Sequence, residues 1–452
     1  MAGGNWEKQN KTLPGFYLNI KSAVTRAINF GSSGTAAICE PLSWGPVAQI
    51  LTIDDATDVF RTLGYDLDES AQMRFLREIF LGSVNADGSA RSSGAAKVLL
   101  YRPAAADAAA AEATVGGITA TARYPGVRGN SVSVAVSADP DQAGAFLVTT
   151  YVSGSKEDEQ TVTDISALTA NDWVSFSGSG SPTAASVTAL TGGADGTVSA
   201  SAYASFLTAL EPERFDVVIY DGTDATVSAA MTSFVKRLRD REGRKVRAVM
   251  SGYAQADFEG VTSPVNGIVL KDGVTLTAAQ SCWWVGGCAA GADYNQDMTY
   301  AVHPGAVGVS PKYTNAQAAA LISAGNLVFF EDEGNIRVFY DINTLTSFTA
   351  EKTRTFSKNR PIRTLDYLAN SLYRIFADFH VGQTANDADG RNLVKKEIVK
   401  LLNAMQASHA VKNFTADDVS VVPGEDSDAI VVDLAVQPVD AISKIYMTVT
   451  VS

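Results

Sequence analysis

The chain has 452 residues, of which 46% are hydrophobic and 19% charged, and its formal net charge at pH 7 is −13. This length and composition are typical of a folded globular protein of about three domains and exclude both an intrinsically disordered chain and a membrane-spanning one. The negative charge would repel a phosphate backbone over most of the surface, so we expect no direct nucleic-acid partner.

The N-terminal residues, the apolar runs and the cysteines predict a chain made in the cytosol. No apolar stretch follows a basic one at residues 1–8, so the sequence predicts no secretory signal, and we expect synthesis in the cytosol. The longest apolar run, Trp283 to Ala292, is shorter than the about 20 residues that cross a bilayer, and we expect no membrane insertion. The three cysteines, Cys39, Cys282 and Cys288, form no Cys-x-x-Cys pair and are predicted to be buried apolar residues.

The first predicted element in chain order is a strand in which Phe16, Leu18 and Ile20 alternate with more polar residues. No turn brings a hairpin partner behind it, so its partner lies elsewhere, and that partner can belong to another chain. We interpret residues 1–22 as an N-terminal arm.

An α/β pattern begins next, over residues 23–102, and its elements are a strand, two helices and a strand: Thr35 to Cys39, Asp54 to Leu63, Ala71 to Leu81 and Lys97 to Tyr101. Residues 103–199 are rich in Ala, Gly, Ser and Thr and contain short alternating runs, which predict an inserted antiparallel β domain. The α/β pattern resumes over residues 200–346. Its predicted helices and strands are Ala202 to Leu210, Phe215 to Tyr220, Thr226 to Arg241, Lys245 to Met250, Ala278 to Ala292, Asn315 to Ala324, Asn326 to Glu331 and Ile336 to Tyr340. Strands separated by helices imply parallel pairing.

The last hundred residues contain two amphipathic helices, marked by apolar stripes from Leu365 to Phe379 and from Val394 to Met405. They belong to a predicted C-terminal domain of residues 347–440. Three strands follow the helices: Val419 to Val422, Ala429 to Val436 and Ser443 to Val451. In the last strand, one face carries Ile445, Met447, Val449 and Val451, and the other carries Tyr446, Thr448 and Thr450. We interpret residues 441–452 as a C-terminal arm; the alternative is the last strand of the subunit's own sheet.

Motifs for enzymatic chemistry are missing from the sequence. The sequence contains no G-x-G-x-x-G, no G-x-x-x-x-G-K-[ST] and no G-x-S-x-G, and its three histidines form no His-x-x-x-His pair. Asp216 and Asp221 bracket a strand, and Asp221 stands where α/β active sites often lie. With no histidine or lysine partner evident, we interpret Asp221 as a loop residue that caps the next turn. The sequence therefore predicts no catalytic, cofactor-binding or metal-binding residue.

Two basic stretches stand out in this acidic chain. The first, between Lys236 and Arg247, has the composition of an anion site, but cations at a helix end also suit the helix dipole. The second is a candidate contact surface for an acidic partner, with a solvated loop as the alternative. Its residues are Lys352, Arg354, Lys358, Arg360 and Arg363.

Four stretches resemble the contractile tail sheath proteins of bacteriophages and of related phage-tail-like particles, especially those of Gram-positive phages, defective prophages and phage-tail-like bacteriocins. They are Ala122 to Asn130, Ala289 to Ala306, Val338 to Thr346, and Gln437 to Val449. The resemblance covers nearly the whole chain and keeps the family's order. It implies a multidomain α/β (α+β) fold: a subtilisin-like α/β domain, an inserted antiparallel β-sandwich, and a C-terminal α+β domain with extended N- and C-terminal arms. No Asp, His and Ser constellation accompanies that topology here.

The resemblance also implies a mechanism. Family members stack as hexameric rings around a tail tube, lend arms to the sheets of neighbouring subunits, and contract when the baseplate triggers them, without a cofactor. It implies that this chain binds itself, the tail tube protein, and baseplate and tail terminator proteins, in a particle assembled in the bacterial host cytoplasm. The C-terminal domain lies closest to the tube, which would give the second basic stretch its acidic partner. Phage and bacteriocin particles are not distinguished.

Two other classes compete with this interpretation. One is an α/β hydrolase-like enzyme with a β-sandwich accessory domain, and the other is a different self-assembling protein such as a tail tube or surface-layer subunit. An enzyme would be a monomer or small oligomer with a polar pocket, whereas a sheath would form long hollow cylinders.

Overall fold

The computed structural model describes residues 34–450, together with the backbone of residues 2–4 and 15–17. The two short segments form strands β1 (Ala2–Gly4) and β2 (Gly15–Tyr17), which pair in parallel. Of the predicted N-terminal arm residues, Phe16 lies in β2, and Leu18 and Ile20 lie outside the described residues. The role of this arm in contacts with other subunits therefore stays a prediction.

The segment that precedes the insertion contributes strands and two short helices to the central part of the molecule. These elements are β3 (Thr35–Cys39), β4 (Ile50–Ile53), α1 (Val59–Leu63), α2 (Arg74–Phe80), β5 (Ser83–Val84), β6 (Ala90–Ser92) and β7 (Lys97–Tyr101). Gly64 ends α1 in the left-handed conformation, as predicted, and donates its N–H to the Phe60 carbonyl. The predicted helix from Asp54 is shorter than expected, because Asp58 is its N-cap.

The inserted part folds as two antiparallel sheets, and the predicted antiparallel β domain is confirmed. Its strands are β8 (Glu112–Val115), β9 (Ile118–Ala122), β10 (Val132–Ala138), β11 (Phe146–Val152), β12 (Ser155–Val162), β13 (Val174–Ser177) and β14 (Ala185–Ala189). They are ordered β12-β11-β10-β14 in one sheet and β13-β9-β8 in the other. Alternate residues of β10, Val132, Val134 and Val136, are buried between the sheets, as the period of two requires.

The central part then resumes with alternating helices and strands. They are α3 (Ala200–Leu210), β15 (Val217–Tyr220), α4 (Ala225–Asp240), β16 (Arg247–Met250), β17 (Val261–Thr262), β18 (Gly267–Leu270), β19 (Thr275–Leu276), α5 (Ala278–Gly291), β20 (Ala306–Ser310), α6 (Asn315–Ser323), β21 (Phe329–Asp332) and β22 (Asn335–Val338). Each helix predicted between residues 200 and 346 is present within two residues of its predicted ends. Helices α4, α5 and α6 begin at side-chain caps, which are Asp224, Thr277 and Thr314.

The main sheet has six strands in the order β17-β16-β15-β3-β7-β4, and neighbouring strands are parallel except at β4, which runs antiparallel to β7. Ala36 and Ile38 of β3 face a core shared with α2 and α5, while Ala37 and Cys39 face a core shared with α3 and α4. Helices thus cover both faces. Because β3, β7, β15 and β16 are buried on both faces, they are short continuous apolar runs.

The C-terminal part consists of α7 (Asn359–Phe379), α8 (Ala388–Ala407), β23 (Val411–Lys412), β24 (Val419–Pro423), β25 (Ile430–Leu434) and β26 (Gln437–Pro438). Both predicted helices are confirmed, and their apolar stripes meet through Leu368, Ile375, Ile398 and Leu402. The strand predicted from Ser443 is wrong for this isolated subunit: residues 443–450 form no strand, and Val451 lies outside the described residues.

All three cysteines are buried and free, as predicted. Within the described ranges, no helix is long and apolar enough to cross a membrane.

Candidate assembly surfaces

The C-terminal arm leaves the body at Asp440 and lies in solvent. Lys358 forms an ion pair with Asp440, and the Val439 N–H donates to the Ala410 carbonyl over 2.8 Å. Beyond this root, residues 444–450 make no hydrogen bond or ion pair with the rest of the described chain. Ile445, Tyr446, Met447 and Val449 are between 74% and 91% exposed. An alternating apolar segment is therefore presented with neither face covered, and it is not the last strand of the subunit's own sheet.

An open β-hairpin lies in the same part of the molecule. Strands β24 and β25 pair antiparallel over five residue pairs, from Val419 with Leu434 to Pro423 with Ile430. One face packs on α8 through Val419 and partly buried neighbours. Within residues 34–450 no third strand joins this pair, so both of its edges carry unpaired main-chain groups. Such edges are templates for strand addition.

Most side chains of the second basic stretch make contacts within the subunit itself. Arg363 is 4% exposed and donates to the Gln296 carbonyl, and Lys358 is committed to Asp440 at the root of the arm. Lys352 pairs with Glu259 at 2.6 Å, and Arg360 reaches the His409 carbonyl at 3.4 Å. Arg354 alone of the five is exposed and makes no side-chain hydrogen bond or ion pair with the described residues. The sequence pattern did not reveal that Arg363 faces inward on α7.

The same helix α7 is joined to the central part by buried polar contacts, which we call the α7 junction. Arg239 of α4 binds Asp366 of α7 through two 2.8 Å hydrogen bonds, and both side chains are at least nine-tenths buried. The Lys245 N–H donates to the Asn370 side chain over 3.0 Å, and the Thr364 hydroxyl donates to a main-chain carbonyl over 2.7 Å. Within the first basic stretch, Arg239 thus has a structural role, because its side chain holds α7, and Lys245 contacts the same helix through its main chain.

Comparison with known proteins decides the family. The chain matches three models of phage tail sheath proteins: the β-sandwich domain over residues 104–195, the central domain over 196–344 and the C-terminal domain over 351–452. It is 32% identical to the phage-like element PBSX protein XkdK of Bacillus subtilis over the full length of both chains.

The solved structures agree. The sheath tail protein of Desulfitobacterium hafniense superposes with a TM-score of 0.84 and 41% identity, covering 96% of this chain and 99% of that one. The chain is a phage tail sheath protein. The sheath of an extracellular contractile injection system in its contracted state shares the fold at 11% identity, with a TM-score of 0.57 over 98% of each chain. This sheath protein is therefore a structural subunit of a contractile tail sheath, in a phage or a phage-tail-like particle, and the predicted resemblance is confirmed.

A buried acid pair occupies the edge of the sheet where an α/β enzyme would place its catalytic groups. The interpretation of Asp221 as a capping residue is wrong, because Asp224 caps α4 instead. Asp221 accepts a 3.0 Å hydrogen bond from the Trp283 indole and lies against the buried carboxyl of Glu40. Burial and the nearby Asp221 raise the pKa of Glu40 well above its usual range, so Glu40 holds a proton. No local pattern marks this pair, since its members lie 181 positions apart in the chain.

Two other candidate catalytic side chains of the sheath protein, Cys39 and His303, are buried. Burial raises the pKa of the Cys39 thiol, so the sulfur stays protonated and is a poor nucleophile. His303 is buried elsewhere, where its Nδ1 accepts from the Gly305 N–H and its Nε2 lies 2.7 Å from Glu78. Both ring nitrogens are therefore engaged in contacts within the fold. Among the described residues, no group of three or more His, Cys, Asp or Glu side chains is placed to hold a metal ion.

The acid pair predicts a pH dependence of stability. The unfolded chain releases the Glu40 proton near its ordinary pKa of about 4.3, whereas the folded sheath protein keeps it to higher pH. The wild type therefore loses stability as the pH rises above that value. In the Glu40→Gln variant the side chain still donates a hydrogen bond towards Asp221 but does not titrate. As the pH rises, we therefore expect the free energy of unfolding of the variant to increase relative to that of the wild type, by up to about 1.4 kcal/mol per pH unit. Urea unfolding across the acid to neutral range measures this; Glu69→Gln, at an exposed carboxyl, should run parallel to the wild type. Parallel curves for Glu40→Gln would contradict a protonated Glu40.

Proposed function

We propose that this sheath subunit polymerises as stacked hexameric rings around a tail tube, and that its arms join neighbouring subunits while the bodies move during contraction. The observation that carries the proposal is the C-terminal arm, an apolar alternating segment that leaves the body at Asp440 and finds no partner in the described chain. An exposed apolar segment with this alternation is suited to pairing as a strand with another chain.

The open hairpin is the acceptor in this proposal. An arm that adds as a strand to β24 or β25 gains main-chain hydrogen bonds, which do not depend on how the globular bodies are oriented. Val422, Ile430 and Val431 are 37% to 46% exposed and offer apolar cover for the alternating arm side chains. The bodies can then rotate while the connections persist, and the energy of contraction comes from contacts between bodies that differ in the two states. The N-terminal arm at Phe16, Leu18 and Ile20 is proposed to pair in the same way.

Contact with the tube is proposed for the accessible part of the second basic stretch. Arg354 is exposed, and Lys352 and Arg360 are partly exposed, whereas Arg363 and Lys358 contribute by positioning α7 and the arm. If Arg354→Glu left assembly of tube and sheath intact at low salt, this contact would be excluded.

The remaining roles are proposed from family membership. We infer that the chain is not an enzyme, that baseplate, tube and terminator proteins are its partners, and that assembly takes place in the host cytoplasm. The parallel sheet with helices on both faces supports a subtilisin-like topology for the central domain. The proposed limits are an arm at 1–22, a central domain of 23–102 and 200–346, an inserted domain at 103–199, a C-terminal domain at 347–440 and an arm at 441–452.

Electron microscopy of the purified full chain in negative stain tests the proposal. We expect long hollow cylinders with sixfold symmetry. A chain that stays monomeric at high concentration would contradict it and would favour the alternative of an α/β hydrolase-like protein with a β-sandwich accessory domain.

A further inference from the structure

A small cavity lies at the α7 junction, between the end of the central sheet and α7. Its volume is about 50 Å³, several times what one water molecule requires, and it opens into a solvent-facing groove of about 310 Å³. We call it the junction cavity. The charged residues that line it are Asp216, Lys245, Arg247, Arg363, Asp366 and Arg374.

The cations of the junction cavity outnumber its available anions. Asp366 is already bound on two sides by Arg239, which is not part of the lining. Asp216 accepts the N–H groups of Gly34 and Thr35, both over 2.9 Å. Arg363 lies near Asp341, a buried carboxylate outside the lining, so the remaining three cationic side chains share one available carboxylate, Asp216. In a chain with a net charge of −13, this local excess of positive charge is unusual.

Two of the cations are buried without a full set of partners. Arg363 is 4% exposed; its Nη2 lies 3.6 Å from Asp341, and neither its Nε nor its Nη2 makes a hydrogen bond. Arg247 is 8% exposed, donates to the Ala289 carbonyl over 2.8 Å, and forms no ion pair with any described residue. Burial and the neighbouring Arg363 lower the pKa of Arg247 to about 10. A buried cation without a counter-charge destabilises a fold, and a bound anion removes that cost.

The third arginine of the junction cavity, Arg374, lies where the cavity meets the outer groove. Arg374 is half-buried and lines both the junction cavity and the groove, and its side chain makes no hydrogen bond or ion pair within residues 34–450. Guanidinium groups present paired N–H donors that match the oxygens of phosphate and sulfate. We propose that the junction cavity binds one tetrahedral oxyanion, phosphate or sulfate, between Arg247 of the central sheet and Arg363 and Arg374 of α7. The anion joins the C-terminal helix pair to the central domain, and this inference does not depend on how the subunits assemble.

Thermal unfolding of the full chain in the presence of phosphate or sulfate tests the site, with sodium chloride holding the ionic strength constant. We expect a saturable rise of the unfolding midpoint with either oxyanion. Arg374→Gln removes charge-assisted hydrogen bonds to the anion without breaking a hydrogen bond or ion pair of the described fold, and should weaken binding about tenfold. Arg214→Gln is the matched control, because Arg214 lines only the outer groove and should leave the affinity unchanged.

Three outcomes would overturn the proposal. They are an equal rise with chloride alone, a rise that does not saturate, and an unchanged response in Arg374→Gln. If Arg374→Gln fails to fold, calorimetric titration of the wild type with phosphate still tests the site. Heat of binding at a stoichiometry of one per chain supports the site, and no saturable heat rejects it.

Discussion

A chain that ends after Asp440 should fold with the same thermal midpoint as the full sheath subunit and should form no cylinders. The midpoint is unaffected because residues 444–450 make no hydrogen bond or ion pair with the described body, and the apolar side chains from Ile445 to Val449 are mostly exposed. Assembly is lost because every subunit contact made by the arm disappears at once. Each main-chain hydrogen bond contributes about 1 kcal/mol net, and a strand of this length makes several.

Electron microscopy and a thermal melt, run on the same preparation, check both halves of this expectation. The matched control is the full-length chain with Thr448→Ser and Thr450→Ser, which keeps the main chain and the apolar face and should form normal cylinders. Cylinders from the truncated chain would remove the arm from the mechanism. A lowered midpoint would show that the arm packs on its own body in solution.

The second large effect is expected at the α7 junction. In Asp366→Asn, Arg239 stays buried without its counter-charge, so we expect the free energy of unfolding to fall by about 3–5 kcal/mol. The matched control is Glu211→Gln, which breaks the pair that Arg237 of the same helix forms at the surface, where Arg237 is 35% and Glu211 46% exposed. There we expect a loss of less than about 1 kcal/mol. Urea unfolding measures both.

A double variant separates the cost of an unpaired buried charge from the loss of the pair between Arg239 and Asp366. Replacement of both partners, Arg239→Met with Asp366→Leu, removes the buried charge together with its partner and should recover most of the stability. If the two single variants Asp366→Asn and Glu211→Gln lose the same amount, burial does not strengthen the α7 junction. If the double variant is as unstable as Asp366→Asn, the geometry of the hydrogen bonds matters more than the charge.

Local patterns were sufficient for much of the fold. Strands β3 and β7 have the predicted ends, and α4 and α5 begin within one residue of them, because their apolar runs and caps are contained in a few consecutive residues. Strand β4 was not predicted. It is four residues long and lies at the edge of the sheet, where its pairing with β7 depends on a partner about fifty residues away.

The surfaces were harder to predict than the fold. The alternation in the C-terminal arm identified a segment made for pairing, but an isolated subunit cannot supply the partner, so the segment has no strand structure here. Arg363 belongs by sequence to a basic stretch, yet the helical turn places it inward beside Gln296. The pairing of Glu40 with Asp221 arises because two parallel strands, β3 and β15, end side by side. Contacts of this kind depend on tertiary structure and leave no local signal.

If the C-terminal arm joins neighbouring subunits as proposed, the root of the arm determines the path of mechanical load in a contracting sheath. Tension on the arm enters the body at Asp440, through the ion pair with Lys358 and the main-chain bond from Val439 to Ala410. Lys358 immediately precedes α7, so the pull passes directly into that helix and then, through Asp366, into Arg239 of the central domain. In the proposed assembly, helix α7 would therefore receive the pull of a neighbouring subunit, and the ion pair with Arg239 would hold the helix in the body.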